Sequence, residues 1–270
     1  MISITYDTTE SIQMLPDKPA LLIQDVTHGL VLIIADLHLG YLYGRSKRGI
    51  LIPRSKLPEE ELIELVEEIR PRQLIVLGDF KDEIFGIKNP LVSRIFNFYE
   101  KIRKITNLVI VKGNHDGKLE EMFQSRISLI PSTGLCLKTT DGKTIGLWHG
   151  HSNPALDVIN ADTTITGHVH PAFSFRDELG VTTTEKVWIK ARWHQTETDS
   201  ERLHIIMPAF NRYISGRSID DDSFNALIAM KEGIDFQNAE VFTLQGVLLG
   251  SMGDLQEERR KRKKSKKKRK

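Results

Sequence analysis

Three times between residues 30 and 116 a short apolar run stops abruptly at a cluster of potential metal ligands. The run 30–35 (LVLIIA) leads into Asp36-Leu37-His38, the run 73–77 (QLIVL) into Gly78-Asp79 with Asp82, and the run 107–111 (NLVIV) into Gly113-Asn114-His115-Asp116. A strand that is apolar throughout is one covered on both faces, as in a sheet with layers above and below it. Helices separate the runs. Pro58 and Glu59 to Glu61 favour a helix start, Leu62, Leu65, Val66 and Ile69 supply an apolar face, and Pro71 ends it; a second helix is expected from about Leu91 to Ile105. Before the first run, ALLIQDV and the turn THG predict a hairpin partner.

From Ile127 onward the pattern becomes strand-rich. One strand region is expected over 127–139, then TIGLWHG, TTITGHV, EKVWIKARW and RLHIIMPAF, a helix near Phe224 to Lys231, and a last strand near Val241 to Leu249. Strands alternating with helices, followed by mostly antiparallel strands, suggest an α/β chain in which two sheets pack face to face with helices outside. The expected division is one domain over 1–254 and a basic, disordered tail over 255–270.

Two more clusters sit at the ends of strands in this second half, His149-Gly150-His151 and Gly167-His168-Val169-His170. In open α/β sheets ligands gather at the carboxyl ends of strands. Singly, each cluster has an ordinary reading as a cap or turn. All five in order are poorly explained by turns alone, so they are expected to converge on one metal site. Cys136 is the only cysteine, which excludes an internal disulfide and a thiolate cluster, and leaves histidine and carboxylate as ligands.

The blocks DLH, GDFKD, GNHD, HGH and GHVH, in this order, resemble the calcineurin-like metallophosphoesterase superfamily. DLHLGYLYGRSKRGILIP and MPAFNRYISG are similar to a narrower branch, the SbcD-related phosphoesterases of archaea and the DNA-ligase-associated phosphoesterases of bacteria. The resemblance covers most of 20–215 and implies a four-layer α/β/β/α sandwich with two metal ions. It implies that one ion takes Asp36, His38, Asp79 and His170, and that the other takes Asp79 as a bridge with Asn114, His149 and His168. His115 becomes the general acid, while Asp82 and Asp116 orient ligands or His115. His151 either lines the pocket or caps its loop.

Two divalent ions sharing a carboxylate can activate a water and stabilise both oxygens of an in-line displacement at phosphorus. Mixed imidazole, carboxylate and amide ligands favour transition metals over calcium or magnesium. The branch resemblance puts manganese first, with zinc, iron, nickel or cobalt as alternatives. Arg45, Lys47 and Arg48, expected in a loop after the first block, either bind phosphate oxygens or form a solvated loop. Trp148, Phe173 and Phe175 flank the last blocks and are read as core rather than as base-stacking groups. Arg212 in AFNRY resembles a branch feature without a known role, and His28, His194 and His204 are read as structural.

Charge is divided along the chain. Eleven of the 38 basic residues lie in the last twelve, 259–270, leaving 27 against 36 acidic residues in the remainder. The tail reads either as a non-specific arm for DNA or RNA or as a solubilising segment that folds back on the acidic body. The longest apolar run, Leu30 to Ala35, is far short of a membrane span, and the first ten residues lack the regions of a signal peptide, so a cytoplasmic protein without a membrane segment is expected.

The expected function is a binuclear metal-dependent phosphodiesterase acting on nucleic acid. The alternatives are a phosphomonoesterase or small or cyclic-nucleotide phosphodiesterase and, less favoured, a non-catalytic scaffold, from which loss of ligands would be expected. About 55 residues follow the MPAFNRYISG block, too few for both a DNA-capping domain and a partner-binding helical segment, so a processive exonuclease working with an ATPase is not expected.

Overall fold

The computed structural model describes residues 11–49, 56–82, 90–124, 126–177, 179–194, 201–219, 224 and 232–267, the C-terminal side chains as far as 261. The first sheet has six strands in the order β1 (Ile12–Met14), β2 (Ala20–Asp25), β3 (Gly29–Ala35), β4 (Gln73–Leu77), β5 (Asn107–Val111) and β6 (Ser128–Ile130). The first two pairings are antiparallel and the pairings from β3 to β6 are parallel. Between these strands come α1 (Tyr41–Lys47), α2 (Pro58–Ile69), α3 (Pro90–Ile102) and α4 (Leu119–Phe123).

The second sheet is built from β7 (Leu135–Lys138), β8 (Thr144–Leu147), β9 (Thr163–Thr166), β10 (Pro171–Arg176), β11 (Thr182–His194), β12 (Glu201–Ile206), β13 (Arg217–Ser218), β14 (Ile234–Thr243) and β15 (Leu248–Ser251). Helix α5 (Leu156–Ile159) lies between β8 and β9, and α6 (Met252–Lys267) follows β15. The order is β13-β10-β11-β12-β9-β8-β7, with β14 on β11 and β15 on β14. The long β11 carries two neighbours in succession, β10 along 182–186 and β14 along 187–193.

Period-two alternation sorts β3 between two cores. Leu32 and Ile34 pack with Leu62, Leu65, Val66 and Ile69 of α2 and with Ile95, Phe98 and Ile102 of α3. Val31, Ile33 and Ala35 face the other way and meet Leu147, Ile165, Trp188 and Ile205 of the second sheet. On the outer face of that sheet Val187, Ile189 and Trp193 are covered by Val158 of α5 and Met252 of α6. The result is a mixed α/β sandwich of two sheets flanked by helices, as expected. Among the described residues no helix is long and apolar enough to cross a membrane.

Four local expectations are corrected. The run 127–139 is not one strand region: β6 stays in the first sheet and β7 opens the second, and the break falls at residues 131–134, which begin with Pro131 and end with Gly134 at φ 89°. Arg45 and Lys47 lie on α1, and Arg48 is its C-terminal cap, where a loop was expected. The last strand becomes the hairpin β14–β15, turned at Gly246, whose amide donates to the Thr243 carbonyl at 3.0 Å. The segment from 255, expected to be disordered, continues α6 as far as Lys267. Ser251 Oγ accepts from the Asp254 amide at 3.1 Å, Met252 is buried, and Lys261 pairs with Glu257 at 2.8 Å, so a capped start feeds a run of residues with good helix propensity. The helix expected near 224–231 falls, apart from Phe224, outside the described residues. PAFSFR, to which the sequence reading gave no element, is β10.

His204 on β12 is buried between the rings of Trp148 and Trp193, with Nδ1 2.8 Å from Thr164 Oγ1 and Nε2 3.4 Å from Thr166 Oγ1. Burial pushes its pKa down to about 3. The imidazole therefore stays neutral in the fold while the unfolded chain takes up a proton near pH ~6.5. No stability is lost above that pH, and stability falls as the pH drops from there towards 3. Between pH 7.5 and 5.0 the native protein should lose roughly 2 kcal/mol more than a His204→Gln variant in urea unfolding. Equal losses would mean that His204 accepts a proton in place.

Candidate metal centre

The parallel registers level the strand ends. Ala35 pairs with Leu77 and Leu77 with Val111, so Asp36, Gly78-Asp79 and the 112–116 turn leave the first sheet side by side. In the second sheet Leu147 pairs with Ile165 and Ile206 with Thr166, which brings Trp148-His149, Gly167 to His170 and the segment after Ile206 to one end. The five polar clusters meet there, between the two sheets.

Backbone crowding explains the glycines. A Cβ on Gly113 would lie 2.2 Å from Asp79 Oδ1, and one on Gly167 would lie 2.7 Å from Asp36 Oδ2. Each carboxylate is therefore packed against a backbone that admits no side chain. Nine described non-glycine residues have positive φ, and five of them are Asp36 (57°), His38 (45°), Asp79 (50°), His168 (72°) and His170 (46°). Such conformations cost about 1–3 kcal/mol each and persist where surrounding structure dictates them.

Three sets of donor atoms each lie within 4.8 Å of one another: Asp36, His38 and His170; Asp79, His149 and His168; and His38, Asp79 and His115. Asp36 Oδ1 is 3.0 Å from His170 Nε2. Asp79 Oδ2 is 3.4 Å from His38 Nε2 and 3.4 Å from His149 Nε2, so one carboxylate reaches imidazoles from both sheets. His149 donates from Nδ1 to the Leu77 carbonyl at 3.0 Å, which turns its Nε2 towards Asp79 and towards Asn114 Oδ1 at 3.2 Å. The Asp36 and Asp79 carboxylates also accept from the His168 amide (3.0 Å) and the His115 amide (2.9 Å) respectively.

Electrostatics follow from this packing. Burial would raise Asp36, but His170 and His149 beside it hold its carboxyl below the ordinary value. Burial works the same way on Asp79 and is again outweighed, by His149 and His38. Burial would lower His149, yet Asp79 and Asp36 raise it to about 9, and His168, buried beside that charge, falls to about 4. These directions describe the polypeptide's own charges.

The donor set fits divalent cations. Asp36 Oδ1, both ring nitrogens of His38 and His170 Nε2 are buried and make no hydrogen bond among the described residues, although Asp36 lies within ion-pair distance of His170, and His38 within that distance of Asp79 and Asp82. Buried polar atoms left unpaired carry a desolvation cost, and a shared cation is what convergent lone pairs of this kind would serve. Imidazole nitrogens and carboxylate oxygens together suit transition metals.

The neighbouring residues hold this arrangement. Asp82 Oδ1 is 3.2 Å from His38 Nδ1, and the Asp82 carbonyl accepts from His115 Nδ1. Asp116 is buried and accepts from the amides of Gly113 (2.9 Å), Phe80 (3.3 Å) and Lys81 (3.3 Å), which ties the turn after β5 to the turn after β4. Burial and the Asp79 charge raise its pKa. His151 stands beside His149 and His168, with ring centroids 5.2 and 6.0 Å away, and burial lowers its pKa. Arg45 donates to the Tyr41 hydroxyl at 2.8 Å and Lys47 lies over the Tyr43 ring, and among the described residues neither makes an ion pair with the cluster; Arg48 is exposed at the end of α1. Trp148 is core. Arg212 pairs with Glu61 at 2.7 Å.

Sequence reasoning missed three residues at this end of the fold. Lys81 is only 2% exposed, with its ammonium bonded to the His115 carbonyl. Asn211 and Lys186 are the others, treated below. Asn211 had a legible signal: it follows the apolar strand β12 as the five clusters follow theirs.

A domain match to the calcineurin-like phosphoesterase superfamily spans residues 30–189, from β3 into β11 and across all five clusters. Comparison with curated protein sequences gives no match. Among solved structures, nuclease MPE from Pseudomonas putida is 16% identical, over 87% of this chain and 97% of that one, with a TM-score of 0.49. YfcE, a phosphoesterase from E. coli, is 14% identical, over 82% and 96%, with a TM-score of 0.41. A single mutant of Vps29 from Entamoeba histolytica is 15% identical, over 66% and 73%, with a TM-score of 0.33. These likenesses are distant, and it is the domain match, across more than half of the chain, that shows that the chain belongs to the calcineurin-like phosphoesterase superfamily.

Proposed function

We propose that the chain is a binuclear metal-dependent phosphodiesterase that cleaves nucleic acid, with manganese first among its metals, as in the SbcD-related branch its motifs resemble. The observation that supports this reading is the Asp79 carboxylate lying 3.4 Å from an imidazole of each sheet, a position from which it could be shared between two cations. In this reading Asp36, His38, Asp79 and His170 hold one cation, and Asp79, Asn114, His149 and His168 hold the other. What two divalent cations supply when bound is a water of lowered pKa and countercharge for the phosphoryl oxygens.

The remaining work falls to the chain. His115 donates its Nδ1 proton to the Asp82 carbonyl, which fixes the tautomer and leaves Nε2 as the atom that gives and regains a proton. Its side chain is 40% exposed, so it can meet a leaving oxygen and be reprotonated from solvent. Lys81 grips the carbonyl of the same residue, and Asp82 orients His38. The last twelve residues, eleven of them basic, supply sequence-independent attraction for a phosphate polymer in the cytoplasm.

Turnover of bis-p-nitrophenyl phosphate should exceed that of p-nitrophenyl phosphate when manganese is added to the purified chain. Preference for the monoester would favour a phosphomonoesterase, and no turnover with any transition metal would leave a scaffold. His115→Ala should slow esters of poor leaving groups by roughly 10²–10⁴-fold while p-nitrophenyl esters lose far less; equal losses would remove the histidine from the acid role. Deletion of 259–270 should leave turnover of small esters intact but weaken binding of single-stranded DNA and flatten its dependence on salt. Unchanged DNA affinity would take the tail out of substrate binding.

A further inference from the structure

After β12 the chain does not return directly to the second sheet. Residues 207–211 cross to the first sheet and run beside the segment that carries Asp36 and His38. The Met207 amide still donates to Thr166 in the second sheet at 2.7 Å, whereas the Phe210 amide donates to Ala35 at 2.8 Å and the Asn211 amide to Asp36 at 3.4 Å. This strap is the MPAFN stretch, and no step of the proposed reaction uses its side chains.

Asn211 is 1% exposed. Its Nδ2 donates to the Leu37 carbonyl at 3.0 Å and to the His38 carbonyl at 3.4 Å, while its Oδ1 accepts from the Tyr213 amide at 3.0 Å. The two carbonyls belong to a turn in which Asp36 and His38 both have positive φ. Leu37 between them is fully buried, so water is a poor substitute for the amide. From β11, the Lys186 ammonium donates to the carbonyls of Ala209 and of Asn211, the latter at 2.6 Å. A lysine thus fixes the strap, and the strap's asparagine fixes the turn.

The consequence lies in how the first donor set is assembled. Asp36 and His38 come from the first sheet and His170 from the second, so their spacing depends on whatever locks the two sheets together at this end. We propose that Asn211 is a positioning residue that holds Asp36 and His38 in ligand geometry, with Lys186 anchoring it across the sandwich. The proposal rests on reading the cluster as a two-cation site. It predicts a selective effect: the Asp36–His38–His170 set should suffer more than the Asp79–His149–His168 set, to which the strap makes no hydrogen bond among the described residues. Loss of a residue that orients ligands through their backbone should weaken the affected ion by roughly ten- to hundredfold.

Two measurements on the metal-stripped full-length chain test this, using Asn211→Ala and Lys186→Met. In Mn²⁺ titration followed by electron paramagnetic resonance, the native chain should bind two ions with a coupled-pair signal. Asn211→Ala should keep one ion close to native affinity and lose the coupled signal at Mn²⁺ concentrations that saturate the native chain. In hydrogen exchange without metal, the amides of His38 and Leu39, which donate to the Asp79 and Phe80 carbonyls at 2.8 and 2.9 Å, should exchange roughly tenfold faster in both variants, with the 107–111 strand unchanged. Native exchange at residues 38–39 in both variants, or equal weakening of both ions, would overturn the proposal. If the native chain binds no Mn²⁺, the two-cation reading fails while the exchange result still decides what Asn211 does. Should Asn211→Ala not fold, Lys186→Met carries the same comparison.

Discussion

Asp36 and Asp79 are buried carboxylates held side by side with imidazoles where the parallel strands of both sheets end. Removing carboxylates from water is costly unless charge and hydrogen bonds compensate it. Here part of the compensation comes from backbone amides of His168 and His115 and part from the histidines, which hold both carboxyls below their ordinary range. The rest of this end of the molecule is arranged around that need. Glycines let the backbone reach the carboxylates, five donor residues accept left-handed conformations, and several of the donor nitrogens remain without hydrogen bonds. A fold that maximised its own stability would have little reason to collect these features in one place, whereas a cation site needs all of them.

The fold supplies the rigidity. Strands β2 to β6 of the first sheet divide their side chains between the helical layer and the inter-sheet core, so β3, β4 and β5 cannot slip by one residue without turning apolar side chains away from both. Their level ends set the Asp36, Asp79 and Asn114 turns at a fixed spacing. Strands β8 and β9 do the same for His149, His168 and His170, and the strap after β12 joins the two halves.

Much of this was legible in the sequence because the chemistry is carried by residue type. Aspartate, asparagine and histidine at the ends of apolar runs stand out against their surroundings, and Pro58 with its acidic neighbours marks α2. What could not be read depends on pairing across the sandwich. Nothing in 127–139 announces that β6 and β7 belong to different sheets, or in 41–48 that Arg45 and Lys47 lie on a helix beside Tyr41 and Tyr43. Lys81, Lys186 and Asn211 act on carbonyl groups of distant segments, a contact that leaves no spacing to detect. The basic end misled for a different reason: its charge argued for disorder, while the cap at Ser251 and the packing of Met252 start a helix that these residues can continue.

The proposed function requires two cations to share Asp79. Anomalous scattering from crystals of the full-length protein grown with manganese measures this directly. Two peaks about 3.5–4 Å apart, one on each side of the Asp79 carboxylate, are expected. A single peak away from that carboxylate, or no peak at saturating manganese, would contradict the proposed function.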